Sequence, residues 1–296
     1  MNSNVGKMSV AVIIPTFNRE HTILKALDSV FAQTVAPDEI IVIDDGSSDK
    51  TIERLLPLID AGKIQYHLTP HRGVSHARNF GFKQSHSDWI CFLDSDDEWL
   101  NIKLAEQIKY AKEHPHIFLI HTDEIWVRNG VRVNPMRKHK KYGGRIFKHC
   151  LPLCLISPSS VMVHRDLLLK NKGFREDFPV CEDYDLWLKI TSEYEVGFIE
   201  QPLIKKYGGH EDQLSRSLKA MDYYRVKSMD WIFDHRWLNF DEEASIKEEI
   251  LKKTTILLEG YEKHQNEDHV AEIKDLHQKY CQLLNASLGA SAQPTL

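Results

Sequence analysis

Ser9 to Phe17 reads SVAVIIPTF, a run in which every position from Val10 to Ile14 is apolar and four of those five are β-branched. A strand with one wet face alternates apolar and polar residues, whereas a strand buried on both faces reads as a continuous run of this kind. Behind it, Ile23, Leu24, Leu27, Val30 and Phe31 recur at helical spacing, with Arg19, Glu20 and Lys25 set elsewhere. A two-sided strand followed by a one-sided helix is the repeating unit of a parallel sheet covered by helices.

The unit recurs. Glu39 to Asp49, EIIVIDDGSSD, is a second buried strand ending in a turn, and Thr51 to Ile59 supplies a short helix. Ile64 to Thr69 reads as a third strand, Gly73 to Ser85 as a third helix and DWICFLDSD as a fourth strand. Right-handed crossovers bring the carboxyl ends of these strands to one rim, where ligands of such sheets bind. Each strand delivers a polar cluster there: Thr16, Asn18 and Arg19; Asp44, Asp45 and Ser47; His71 and Arg72; Asp94 to Asp97. One polar loop means little, but four on one rim outline a site.

The fourth cluster raises a question of charge. ICFLDSDDEW, Ile90 to Trp99, sets Asp94, Asp96, Asp97 and Glu98 within five positions. Carboxylates so close repel unless a positive charge sits among them, and a divalent cation answers that need. The plainer alternative is a helix opened by DSDDEWL, and Asp97 suits helix N-capping best.

Past Asn101 a helix is expected to about Glu113, and Ile117 to Arg128 forms another strand. Asn134 to Arg145, NPMRKHKKYGGR, is strongly basic; it reads as a flap over a phosphate-bearing ligand or as a solvated loop. Apolar segments resume from Ile146 to Tyr207. From about Glu211 the pattern is helical, with a frayed tail at ASLGASAQPTL. Trp231, Ile232, Phe233 and Trp237 form either core or a dimer surface.

With 296 residues, 42% hydrophobic and 27% charged, the chain can bury a sizeable core. A formal charge of -5 offers no basic footprint for nucleic acid. No apolar run approaches the roughly 18 residues of a membrane span, and MNSNVGKMSV lacks a secretory hydrophobic segment, so a cytoplasmic protein is expected. The five cysteines include one C-x3-C pair, Cys150 and Cys154, without a second pair to complete a zinc site; buried free thiols are expected.

VIIPTFNRE, VIDDGSSDKT, GVSHARNFG, FLDSDDEW and EDYDLWLK, in this order and at this spacing, resemble the family 2 glycosyltransferases. The resemblance covers about residues 9 to 217. It implies the GT-A fold: an α/β, Rossmann-like, mostly parallel central sheet flanked by helices. Residues 1–215 are then the catalytic domain, with a donor half at about 9–100 and an acceptor half at about 101–215. Residues 216–296 form a helical C-terminal extension outside the resemblance.

Carried onto this chain, the resemblance assigns Pro15, Thr16, Asn18 and Arg19 to the base and ribose of a nucleoside diphosphate sugar. Asp45 would accept the uracil imide N–H, which favours a UDP-sugar. Arg78 would neutralise the diphosphate or stack on the base. Asp94-Ser95-Asp96 matches the DxD motif, and alternation along an extended segment would place both carboxylates on one side. Asp94 and Ser95 would meet the donor. Asp96, with Asp94, would ligate Mn²⁺ or Mg²⁺, and His210 would approach the metal or diphosphate from a closing loop.

Asp183 becomes the base that deprotonates the acceptor hydroxyl, with Glu182 orienting it or meeting the acceptor; a bare helix N-cap is the alternative for Asp183. The sequence departs from the family at NKGFRED, where Lys172 precedes Gly173 in place of paired glycines. The expected activity is a metal-dependent, inverting transfer to a saccharide or lipid-linked acceptor, in cell-surface polysaccharide or glycan synthesis. No nucleic acid is involved, while a homodimer and peripheral contact with the inner face of a membrane remain compatible. The rivals are a non-catalytic sugar-nucleotide scaffold and a sugar nucleotidyltransferase; the latter's Gly-rich, basic signature loop is missing from IIPTFNRE.

Overall fold

A computed structural model describes residues 8–134, 136–208, 221–265 and 268–290, without side-chain detail for 287–290. The first half alternates strand and helix: β1 (Val10–Thr16), α1 (Ile23–Phe31), β2 (Glu39–Asp44), α2 (Thr51–Asp60), β3 (Gln65–Leu68), α3 (Val74–Gln84) and β4 (Trp89–Phe92). β1 pairs in parallel with β2 and β4, and β2 with β3. Thr16 lies level with Asp44, so both strands end on the same rim.

The continuous apolar run of β1 serves two layers. Val10, Val12 and Ile14 pack with Ile23, Leu27 and Leu55 of α1 and α2, while Ala11 and Ile13 face the opposite cluster with Phe82 and Phe92. Each fully buried Ile or Val stabilises the fold by about 1.5–3 kcal/mol relative to exposure. α3 lies very close to the sheet: a Cβ on Gly81 would meet Ile13 Cγ2 at 2.5 Å, so only glycine fits there.

Beyond β4 the sheet becomes mixed. The following elements are β5 (Glu98–Trp99), α4 (Lys103–Glu113), β6 (Leu119–Arg128), β7 (Val131–Val133), α5 (Phe147–Cys150), β8 (Met162–His164), α6 (Arg165–Lys170), α7 (Glu182–Glu193) and β9 (Gly197–Gly208). The strand order is β3-β2-β1-β4-β8-β6-β9-β5, with β7 hairpinned onto β6. β8 runs antiparallel to β4 and β6, and β9 lies parallel to β6 with a register shift between Thr122 and Glu124.

The helical remainder is α8 (Met221–His235), α9 (Phe240–His264) and α10 (Val270–Ala290). α9 opens with a capping box in which Asn239 and Glu242 satisfy each other's backbone N–H groups. These helices share the core of the acceptor side: Val226, Met229, Ile232, Ile250 and Tyr280 belong to the same apolar cluster as Phe92, Phe174 and Trp187. Of the aromatic group read as core or dimer surface, Ile232 is buried and Trp231 and Phe233 pack against the core, whereas Trp237 is 81% exposed. All five cysteines are free. No helix among the described residues is long and apolar enough to cross a membrane.

Candidate active site

The rim at the ends of β1 and β2 is locked by its own side chains. Asn18 adopts a left-handed conformation with φ 52; its Oδ1 accepts from Ser48 N–H at 2.8 Å, and its own N–H donates to Ser47 Oγ at 2.8 Å. Arg19 N–H donates to Thr51 Oγ1 at 2.8 Å. These bonds fasten the loop after β1 to the loop after β2, which fixes the rim. Pro15 pairs with Ile43 inside the sheet, and Thr16 is buried with its hydroxyl unpartnered among the described residues.

Asp45 turns toward the start of α3. Its carboxylate accepts from the Arg72 N–H at 2.9 Å and the Gly73 N–H at 2.8 Å, and His71 Nδ1 lies 2.9 Å away. Asp45 therefore builds the turn into α3, and its remaining lone pairs can accept a further hydrogen bond. His71 stacks on Phe17 at 4.1 Å, placing two exposed rings at this mouth. His71 was read from sequence as part of the polar rim, whereas Phe17 was not; an aromatic just past a strand end was the available signal.

After β4 the chain turns rather than continuing extended. Asp97 N–H donates to the Asp94 carbonyl at 2.9 Å, closing a tight turn over Ser95 and Asp96. Strand alternation therefore does not set the directions of Asp94 and Asp96, contrary to the sequence expectation. Asp97 is not a helix cap: the residue before α4 is Ile102, with no side-chain cap bond. Instead Asp97 is 3% exposed and accepts from Ser159 Oγ at 2.7 Å and Tyr207 N–H at 3.0 Å. Burial, then Asp96 and Asp94, push its carboxyl well above the usual range. Ser159 Oγ also accepts the Asp94 N–H at 3.1 Å, so one hydroxyl holds both ends of the turn.

Arg78, on α3, lies beneath this turn with its side chain only 4% exposed. Its guanidinium donates to Asp94 Oδ1 and to Glu182 Oε1, each at 2.7 Å, and its Cζ sits 5.1 Å over the Phe174 ring. Burial opposes its charge, but Asp94, Glu182 and Asp183 outweigh that and raise its pKa. The residue assigned to the diphosphate thus joins the acidic turn to the start of α7.

Cys181 precedes α7 with φ 64 and caps it without a side-chain bond, so Asp183 is not the N-cap. Asp183 Oδ1 accepts the Tyr184 N–H at 2.7 Å, and Cys154 Sγ donates toward Oδ2 at 3.5 Å. Burial and then Asp183, against the pull of Arg78, hold the neighbouring Glu182 up at about 7.

Asp183 opens onto a cavity of about 290 Å³, whose wall includes Glu124, Trp126, His139, Lys141 and Lys206. Glu124 accepts from Ser157 Oγ at 2.7 Å and from the Trp126 indole at 2.8 Å, with Lys141 Nζ 3.2 Å away. Burial opposes its charge, yet Lys141 and Lys206 hold its carboxyl down at about 2. The basic segment read from sequence as flap or loop contributes to this wall: Lys141 is buried and His139 lines the cavity, while Arg137, Lys138 and Lys140 are exposed.

The carboxylates Asp94, Asp96, Asp97, Glu182 and Asp183 outnumber the fixed cations Arg78 and Lys206 within their reach. That imbalance and the hard oxygen donors of the turn fit a divalent cation. Among the described residues, however, no group of three or more His, Cys, Asp and Glu is arranged to hold one. His210 lies outside the described residues. Ser95 is buried in the turn itself.

Residues 11–170 match the family model described as Glycosyl transferase family 2. The chain is 32% identical over 224 residues to an Escherichia coli protein named UDP-Glc:alpha-D-GlcNAc-diphosphoundecaprenol beta-1,3-glucosyltransferase WfgD, covering 75% of this chain and 83% of that one. It is 33% identical over 196 residues to an uncharacterized glycosyltransferase of Rickettsia felis, covering 66% of this chain but 32% of the relative, so it spans about a third of that length. Among solved structures, S. aureus TarS 1-349 in complex with UDP-GlcNAc superimposes with a TM-score of 0.70 at 20% identity, covering 93% of this chain and 81% of TarS 1-349. The mannosyltransferase PcManGT from Pyrobaculum calidifontis, in complex with GDP-Man and Mn2+, gives a TM-score of 0.57 at 16% identity, covering 96% and 87%.

Proposed function

The chain belongs to glycosyl transferase family 2, and from that membership we propose that it moves a sugar from a UDP-sugar to a lipid-diphosphate-linked acceptor. One observation carries the reading. Asp183 opens on a cavity at the same place where Arg78 ties its helix to the acidic turn at Asp94. A base beside an acceptor-sized space, joined rigidly to a donor-side acidic turn, is what single-step transfer requires.

Donor binding falls to the rim of Pro15, Thr16, Asn18, Arg19 and Asp45, supported by its locked geometry and by TarS, whose complex contains UDP-GlcNAc. Asp94, Ser95 and Asp96, on the turn after β4, are assigned to the diphosphate side of the donor. A Mn²⁺ or Mg²⁺ ion held by Asp96 and Asp94 would spread the charge that builds on the leaving diphosphate. The metal-bearing mannosyltransferase and the local excess of carboxylates support that assignment. His210 joins the proposal from sequence alone.

In the proposed step, the acceptor hydroxyl oxygen attacks the anomeric carbon. The bond to the diphosphate oxygen breaks, UDP leaves with the electron pair, and Asp183 takes the hydroxyl proton. Attack from the face opposite the leaving group inverts the anomeric centre. Glu182, held by Arg78, positions the helix that carries the base.

Names of two Escherichia coli relatives specify a GlcNAc-diphosphoundecaprenol acceptor, which supports a lipid-linked acceptor here, and hence work at the inner face of a membrane in glycan synthesis. We further assign residues 1–215 to catalysis and 216–296 to a helical extension that buttresses the acceptor side. Incubating the protein with a panel of nucleotide sugars, Mn²⁺ and a short-chain GlcNAc diphosphoryl lipid tests the reading. Transfer from a UDP-sugar supports it; transfer from none contradicts it.

A further inference from the structure

The ammonium of Lys206, on β9, makes no hydrogen bond and no ion pair within 4.0 Å among the described residues, yet it lines the cavity beside Asp183. Its neighbours differ in this respect. Lys141 is committed to Glu124 and to the Leu155 carbonyl, and Lys205 lies on the other side of the strand against Glu98. Glu124, Asp97, Asp94 and Asp183 surround Lys206 at longer range, keeping it charged without neutralising it by contact. A half-buried ammonium with no contact partner among the described residues keeps its N–H donors available for charge-assisted bonds to a ligand's phosphate oxygens.

The rest of the wall narrows the anion's identity. Trp126 is half-buried, with its indole N–H bonded to Glu124 and its ring tilted against His139 at 4.9 Å between centroids; the part of the ring that lines the cavity is left to pack on a ligand. Sugar rings present C–H faces that pack on such aromatics. Arg128 and His139 stand on the same cavity wall and add donors toward solvent. About 290 Å³ accommodates one sugar ring with a substituent rather than a long chain.

We propose that Lys206, with Arg128 and His139, binds the phosphate adjoining the acceptor sugar, while Trp126 packs on that sugar and Asp183 meets its hydroxyl. The proposal rests on the lipid-diphosphate acceptor reading above and gives it a subsite: the enzyme selects a sugar 1-diphosphate over the same sugar without phosphate. The basic segment around His139 and Lys141 then has a ligand-facing purpose, because it builds the wall against which that phosphate sits.

The test is a calorimetric titration of the full chain, with UDP present, using two probes: a short-chain alkyl diphosphoryl N-acetylglucosamine and the matching alkyl N-acetylglucosaminide. Wild type is expected to bind the phosphorylated probe at least about tenfold more tightly, the scale of one charge-assisted contact. Lys206→Met should bring the ratio close to one, and Lys206→Arg should retain most of it. Equal affinity of wild type for both probes overturns the proposal. So does a Lys206→Met protein that keeps the ratio but loses UDP affinity, which would give the cation to the donor. Failure of the transferase reading shows elsewhere, as absent turnover, since the binding ratio is read without catalysis.

Discussion

Arg78 donates a 2.7 Å hydrogen bond to Glu182 across 104 positions of sequence, and its other terminal nitrogen donates at 2.7 Å to Asp94. One guanidinium thus fastens the acidic turn after β4 to the helix that carries Asp183. Removing it leaves two carboxylates facing each other with no cation between them. Arg78→Met is expected to lose about 3–5 kcal/mol of folding stability, the usual result of breaking a buried pair from one side. Arg78→Lys should recover only part, because an ammonium cannot reproduce two divergent planar contacts. Urea denaturation midpoints measure both; a loss below about 1 kcal/mol would show the pair is not structural.

The same bridge predicts a pH dependence. Burial and Asp183 hold Glu182 at about 7 against its ordinary 4.5, with Arg78 pulling the other way. A carboxyl raised in the folded state holds its proton there more tightly than in the unfolded chain. Its contribution to stability therefore falls as pH rises from 4.5 to about 7 and is level above. Glu182→Gln removes this term, so the variant's stability relative to wild type should improve across that window. Curves that stay parallel from pH 4.5 to 8 contradict the assignment.

Lys172 and Gly173 offer a backbone test. Both adopt positive φ, 61 and 67, so Lys172 occupies a conformation that glycine takes without strain. The sequence departure noted at NKGFRED is thus a lysine accommodated in a glycine geometry. Lys172 is exposed, and Lys172→Gly should stabilise the fold by roughly 0.5–1 kcal/mol. Gly173→Ala should do the reverse, because its Cβ would meet Asn79 Oδ1 at 2.3 Å. Thermal midpoints moving in the same direction for the two variants would refute this reading.

Asp183→Asn retains the shape of the side chain and loses its basicity. UDP affinity should be unchanged, while transfer falls by about 10²–10⁴. A variant that transfers at the parental rate removes Asp183 from the reaction.

Much of the donor half was readable from sequence, and the reason is local. β1 shows its two-sided burial as an unbroken apolar run, and α1 shows its single buried face as Ile23, Leu27 and Val30. The acidic turn was located but its shape was not, because Asp97 is held by Ser159 and Tyr207, residues 62 and 110 positions away. The Arg78 bridge was hidden for the same reason: nothing near ARN announces Glu182. Lys206 carried no signal at all, since a lysine in a mixed strand ordinarily faces water. Its place on the cavity wall appears only when β9 lies beside β6 and aligns it with Trp126.

The rim after β1, β2 and β4 is proposed to hold a UDP-sugar with a divalent ion on the acidic turn. Differential scanning fluorimetry with UDP, with and without Mn²⁺, tests it most directly, with Asp96→Ala as the comparison. Saturation at 100 times Kd adds about 2.7 kcal/mol, a rise of several degrees in Tm for a chain of this size. That rise is expected for wild type with UDP and Mn²⁺ together, a smaller one with UDP alone, and no Mn²⁺-dependent part in Asp96→Ala. An unchanged Tm with UDP and Mn²⁺ contradicts it.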